Sequence, residues 1–97
     1  MSDADTPPTA STVVDICNSR GLHARASAKF VKLASEYEAD IRVTRDGVTV
    51  NALSIMGLLT LGAGNGCGLT IAAEGPDAET AVAALRDLVA RRFDEEN

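Results

Sequence analysis

Asp46-Gly47 sits between two short runs that alternate apolar and polar residues, Asp40-Ile41-Arg42-Val43-Thr44-Arg45 before it and Val48-Thr49-Val50 after it. Successive side chains of a strand point to opposite faces, so Ile41 and Val43 share one face. An Asp-Gly pair accepts the positive φ angles that a two-residue hairpin loop requires. The middle of the chain is therefore committed to an antiparallel hairpin with one apolar side. With 97 residues in all, the remaining segments must cover that side within one small domain.

Flanking segments supply the cover. Thr12-Val13-Val14-Asp15-Ile16-Cys17 is rich in β-branched residues and reads as a first strand, with Val14 and Ile16 facing the core. Ala24 to Tyr37 places Ala26, Phe30, Leu33, Ala34 and Tyr37 at helical spacing, which predicts an amphipathic helix with Lys29 and Lys32 toward solvent. A shorter helix is predicted within Ala52 to Leu61, starting near Ser54, whose side-chain oxygen can accept from a free N–H of the first turn. Leu69 to Glu74 reads as a fourth strand with Leu69, Ile71 and Ala73 on one face. A last helix follows, with Asp77 as the expected N-cap, Ala81, Leu85, Leu88 and Val89 as its stripe, and Arg91 and Arg92 in its last turn. The order β-α-β-β-α-β-α suits an α+β open-faced sandwich, one sheet with three helices on one face. Pattern alone leaves the strand order open. Residues 1–11, polar with Pro7 and Pro8, read as a disordered tail. Residues 12–93 form the expected domain, and 94–97 an acidic end.

Composition narrows the function classes. A net charge of −5 argues against nucleic acid as the main partner. No apolar run is long enough for a membrane span and no signal-peptide pattern is present, so a cytoplasmic protein without membrane insertion is expected. Cys17 and Cys67 lack metal-ligand spacing and read as small apolar residues in a reducing compartment. No carboxylate pair, catalytic triad or metal cluster is legible, which argues against independent chemistry on small molecules and predicts neither metal nor cofactor. Gly62-Ala63-Gly64-Asn65-Gly66-Cys67-Gly68 reads as a turn-rich loop; it lacks the Lys-Ser/Thr of a nucleotide-binding P-loop.

The chemistry-bearing stretch is Asn18 to Phe30, which holds the single histidine, His23, after a Gly-Leu pair and at the head of the first predicted helix. Free N–H groups converge at a helix start, and the helix dipole adds partial positive charge there. That environment suits an anion, above all phosphate, and disfavours a charged imidazolium. Arg25 adds a planar fork of donors matched to phosphate oxygens. Ser19 to Ser35 contains Arg20, Arg25, Lys29 and Lys32 and no acidic residue, although the chain as a whole is acidic. A basic face around a nucleophilic histidine suggests docking to an acidic protein surface.

Gly21-Leu22-His23-Ala24-Arg25, with Ser54-Ile55-Met56-Gly57-Leu58 about thirty residues on, resembles HPr, the histidine-containing phosphocarrier of the bacterial phosphotransferase system, and its nitrogen-branch form NPr. The match in order and spacing covers residues 12 to 93. The resemblance implies an antiparallel sheet and a phosphoryl relay. His23, through Nδ1, would accept the group from enzyme I or its nitrogen-branch relative and pass it to an enzyme IIA-type protein, with Arg25 stabilising the phosphate. Such a protein is a carrier through a phosphohistidine rather than a stand-alone enzyme, and a monomer is expected. Ser54 corresponds to the position that an HPr kinase/phosphorylase modifies in some members. The family's partner surface combines the first helix with the short second one, here Arg20, Ala24, Ala28, Lys32, Ile55, Met56 and Leu59. One departure is Ala26, where the family usually has Pro. Pro is tolerated in a first helical turn but not required, so a changed rate or branch is expected rather than lost function.

The second predicted helix is apolar nearly all round. A small domain cannot bury all of it. Leu58 and Leu61 are expected to pack inward, leaving Ile55, Met56 and Leu59 as a contact patch. A reading from a different class uses this patch alone: a non-catalytic regulatory domain in which His23 only caps its helix and Ser54 phosphorylation is the switch. Exposure of His23, and a shared face for patch and basic residues, separate the two.

Overall fold

The computed structural model describes residues 7–95, so the predicted tail up to Thr6 and the last two residues lie outside the described residues. Strand β1 spans Thr9–Asp15, helix α1 Ala24–Ala34, β2 Asp40–Arg45, β3 Val48–Asn51, α2 Ile55–Thr60, β4 Gly68–Glu74 and α3 Ala78–Ala90, followed by a tight turn at Arg92–Asp94. The four strands form one sheet in the order β1-β4-β2-β3, every neighbouring pair antiparallel. The central hairpin forms as its sequence dictates, with Asp46 at φ 49° and Gly47 at φ 81°.

Alternation decides which side of the sheet is covered. Val14, Ile41, Val43, Leu69, Ile71 and Ala73 are buried beneath the helices. Ala26, Phe30 and Ala34 of α1, Leu58 of α2, and Ala81, Leu85, Leu88 and Val89 of α3 meet them from above. Leu61 also points inward, as expected, while Leu33 and Tyr37 are only half-buried at the edge of this core.

Four local expectations are corrected. β1 begins at Thr9, inside the segment read as a disordered tail, because Thr9, Ala10 and Ser11 pair with Glu74, Ala73 and Ala72 of β4. Polar composition hid a ladder whose partner is sixty residues away. α1 stops at Ala34 rather than Tyr37: Ser35 caps it, its hydroxyl donating back to the Lys32 carbonyl at 2.7 Å. Asp77 precedes α3 but makes no side-chain cap bond; its carboxylate accepts instead from the Glu38 N–H at 2.7 Å, tying the α3 entry to the turn after α1. Arg91 is the C-cap of α3 and Arg92 lies beyond it, so neither falls in the last helical turn.

Candidate functional site

The site lies at the start of α1. Gly21 turns the chain into the helix with φ 67°, a left-handed conformation that side chains rarely adopt. A Cβ there would overlap the Ala63 carbonyl and come within 2.7 Å of the Gly64 Cα. That close approach lets the Leu22 N–H donate to the Ala63 carbonyl at 2.8 Å. Asn65 adds a 3.3 Å bond from its Nδ2 to the Asn18 carbonyl. The glycine-rich segment after α2 is thus a brace against the turn that delivers His23.

His23 is the N-cap of α1, with extended backbone (φ −74°, ψ 179°). Its carbonyl accepts the Ser27 N–H at 2.8 Å, the start of the helical ladder. Its Nδ1 accepts the Arg25 N–H at 3.2 Å. Imidazole thereby occupies the place usually held by a Ser, Asp or Asn oxygen. A ring nitrogen that accepts a hydrogen bond carries a lone pair, so the proton of the neutral ring resides on Nε2.

Nε2 meets a carboxylate, Oε1 of Glu95. The other oxygen of Glu95 accepts from Asn18 Nδ2 at 3.0 Å, and the same amide nitrogen donates to the Gly21 carbonyl at 2.8 Å. Asn18 is fully buried, and both of these acceptors are oxygens, which sets the orientation of its amide. Its Oδ1 has no partner among the described residues. The hydrogen bond from His23, then that from Asn18, hold the Glu95 carboxyl below the usual carboxylate range, and the nearby positive charge of Arg20 acts in the same direction. About 23% of the His23 side chain remains exposed.

Glu95 arrives there through an unusual turn. Arg92, Phe93 and Asp94 have φ values of 59°, 54° and 62°, three consecutive left-handed residues and none of them glycine. Such a conformation costs roughly 1–2 kcal/mol per residue. Phe93 is fully buried and offsets part of that cost. Its carbonyl accepts from Lys29 Nζ at 2.6 Å. Lys29, expected to face solvent, is therefore half-buried and spent on strapping this turn to α1. Arg91 pairs with Asp87 and, at 3.0 Å, with Asp94, and the Arg91 hydrogen bond holds the Asp94 carboxyl below its ordinary value.

Of the other residues singled out from sequence, Arg25 is exposed and meets the ring through its backbone N–H. Arg20, Ala24, Ala28 and Lys32 are exposed on and before α1. Ser54 caps α2 as expected, its Oγ accepting the Gly57 N–H at 2.9 Å. Ile55 and Met56 are exposed, Leu59 is half-buried, and Leu53 and Val48 are exposed as well. α1 and α2 pack against each other, so the basic stripe and the apolar patch lie on neighbouring helices. Asn18 and Glu95 escaped sequence reasoning. Glu95 sits in an acidic run without periodicity; the one available signal was Phe93, an aromatic in a charged stretch. A shallow depression of about 430 Å³ lies over the opposite end of the sheet, lined by Thr9, Asp40, Arg42 and Glu74 among others, and plays no part in this site. No helix among the described residues is long and apolar enough to cross a membrane, and no group of three or more potential metal ligands occurs among them.

Comparison with known proteins identifies the family. Residues 10–91 match the family model described as the PTS HPr component phosphorylation site. The chain is 46% identical over 80 residues to the phosphocarrier protein HPr of Cupriavidus necator, covering 82% of this chain and 90% of that one. It is 44% identical over 82 residues to the phosphocarrier protein NPr of Shewanella violacea, covering 84% and 90%. The crystal structure of an HPr from Thermoanaerobacter tengcongensis superposes with a TM-score of 0.87 at 43% identity, covering 91% of this chain and 99% of that one. A lone histidine capping the first helix of a four-stranded open-faced sandwich, matched over nearly its whole length by these relatives, places the chain in the HPr family of phosphocarrier proteins of the phosphotransferase system.

Proposed function

We propose that His23 is the residue that carries the phosphoryl group. The observation behind this reading is the ring geometry: Nδ1 carries its lone pair at the start of α1, where it accepts the Arg25 N–H, and part of the His23 side chain is exposed. Nδ1 releases the Arg25 N–H, which frees its lone pair, and attacks the phosphorus of a phosphohistidine on enzyme I or its nitrogen-branch relative. The P–N bond to the donor breaks, and its electron pair returns to the donor imidazole. The phosphoryl group then lies at the helix start, where N–H groups and the exposed Arg25 guanidinium offset its charge. That support is modest, as suits a group to be handed on to an enzyme IIA-type acceptor.

Docking uses the exposed stripe Arg20, Ala24, Ala28 and Lys32 together with Ile55, Met56 and the half-buried Leu59. Basic residues steer an acidic partner, and the apolar patch supplies the contact area. The carrier works as a cytoplasmic monomer, and its functional unit runs from Thr9 through Glu95. Ser54 is a candidate for modification by an HPr kinase/phosphorylase, and a phosphate there adds charge beside the docking patch.

The test is incubation with phosphoenolpyruvate and either enzyme I or its nitrogen-branch relative, read by intact mass. A gain of one phosphoryl group, lost in acid and absent in His23→Ala, is the expected result, and the faster donor identifies the branch. An acid-labile phosphate that persists in His23→Ala places the acceptor elsewhere. No uptake from either donor favours the regulatory-domain reading, in which the patch around Met56 does the work.

A further inference from the structure

We infer that Glu95 is a positioning residue for phosphoryl transfer: its carboxylate holds the proton of His23 on Nε2, so that the ring reacts through Nδ1 and can take on positive charge as it does so. The inference rests on His23 being the phosphoryl acceptor. It begins from two contacts at opposite edges of one ring. Nδ1 faces an N–H, which can only donate; Nε2 faces a carboxylate, which only accepts while ionised. One neutral tautomer satisfies both, with hydrogen on Nε2 and the lone pair on Nδ1. A ring with the reverse tautomer would set N–H against N–H and lone pair against carboxylate.

The charge balance of the transfer gives this arrangement its use. When Nδ1 donates its electron pair to phosphorus, the ring keeps its Nε2 proton and acquires positive charge. Glu95 lies at the edge of the ring away from the incoming group and stabilises that charge by a charge-assisted hydrogen bond. On delivery the sequence reverses: the Nδ1–P bond breaks, the electron pair returns to Nδ1, and the ring departs as neutral imidazole because its Nε2 proton has stayed in place. Without that proton the leaving group would be an imidazolate anion, far poorer. One carboxylate thus serves both directions of the relay.

The surroundings fit a held carboxylate rather than a chance surface contact. Glu95 has only 18% of its side chain exposed, and its second oxygen is engaged by the fully buried Asn18. The segment bearing it is anchored by buried Phe93 and by Lys29, through a left-handed turn that solvent-exposed chain does not adopt without support.

Glu95→Gln tests the idea, since it keeps size and an acceptor oxygen while removing the charge; Glu95→Asp, which keeps the charge but shortens the reach, is the companion. Two readouts are taken on each folded variant. In ¹⁵N-resolved spectra of the unphosphorylated protein with the ring neutral, wild-type His23 should show a bare Nδ1 and a downfield Nε2–H protected from exchange with water. Glu95→Gln should lose the downfield position and the protection. In rapid-quench kinetics, Glu95→Gln should accept and donate the phosphoryl group roughly tenfold more slowly, the lower end of what a hydrogen bond to a charged group contributes; Glu95→Asp should recover part of that rate. Transfer at the wild-type rate, or faster, overturns the inference; a faster variant would make Glu95 an inhibitory clasp. An exposed, freely exchanging Nε2–H in wild type overturns it as well. If wild type gains no phosphate on His23, the carrier reading itself has failed, whatever the ring spectra show.

Discussion

Helices α1 and α2 begin with the same device and put it to different ends. In each, a side chain at the N-cap accepts an N–H of the first turn: His23 Nδ1 from Arg25 at 3.2 Å, Ser54 Oγ from Gly57 at 2.9 Å. The difference lies in what stands behind the cap. Ser54 heads a six-residue helix with an exposed apolar flank and has one cap bond to make. His23 is held at its second nitrogen by Glu95, which is held by Asn18, while the turn before it is braced by the 62–68 loop. The two caps thus differ in how many of their other atoms are positioned.

That contrast can be broken most severely at Phe93. Phe93→Ala removes the plug that keeps the left-handed turn against α1. The expected loss is up to about 3 kcal/mol, the low end for a buried aromatic, because backbone strain is relieved at the same time. Denaturant unfolding measures it, and amide exchange should show Glu95 released while the α2 cap is unchanged. A stability equal to wild type would mean that the C-terminal turn is not anchored by this ring.

Ser54→Ala sharpens the comparison from the other side. It should cost about 1 kcal/mol, the usual value of an N-cap oxygen, and leave the rate of phosphoryl uptake by His23 within twofold of wild type. A large loss of uptake would show that the two helix starts act as one unit.

The smallest effect is expected from pH. Glu95 has a folded pKa below its ordinary value, so its stabilising contribution is fully present above the unfolded pKa and is lost as pH falls through the lower folded one. His23, Asn18 and Arg20 are the groups that set this shift. The Asn18 side-chain amide signal should therefore hold steady from neutral pH and move only in acid, below the usual carboxylate range. Movement at or above that range would mean that the carboxylate is not held.

Much of the fold was legible because its signals are local. Asp46-Gly47 carries its own turn chemistry, Ser54 its own cap, and Leu58 and Leu61 their inward spacing. What escaped depends on distant partners. Thr9 to Ser11 have no strand character apart from β4, and Asp77 prefers the Glu38 N–H to its own helix. His23 and Arg25 stood out by type and place. Asn18 and Glu95 did not, since no pattern in an acidic end predicts three left-handed residues in succession, and that turn alone brings Glu95 to the ring.

The antiparallel pairing of β1 with β4 has a consequence for when the histidine is positioned. Thr9 pairs with Glu74 and Asp15 with Gly68. The ladder then runs on into the site, from Ile16 to Cys67 and from Leu22 to Ala63. These contacts span some forty to sixty-five residues, and closing loops of that size is slow compared with forming a helix or a hairpin. Until the β1–β4 zipper closes, the chain holds the histidine without its brace. The turn that positions His23 is thereby expected to be a late element of the folding sequence.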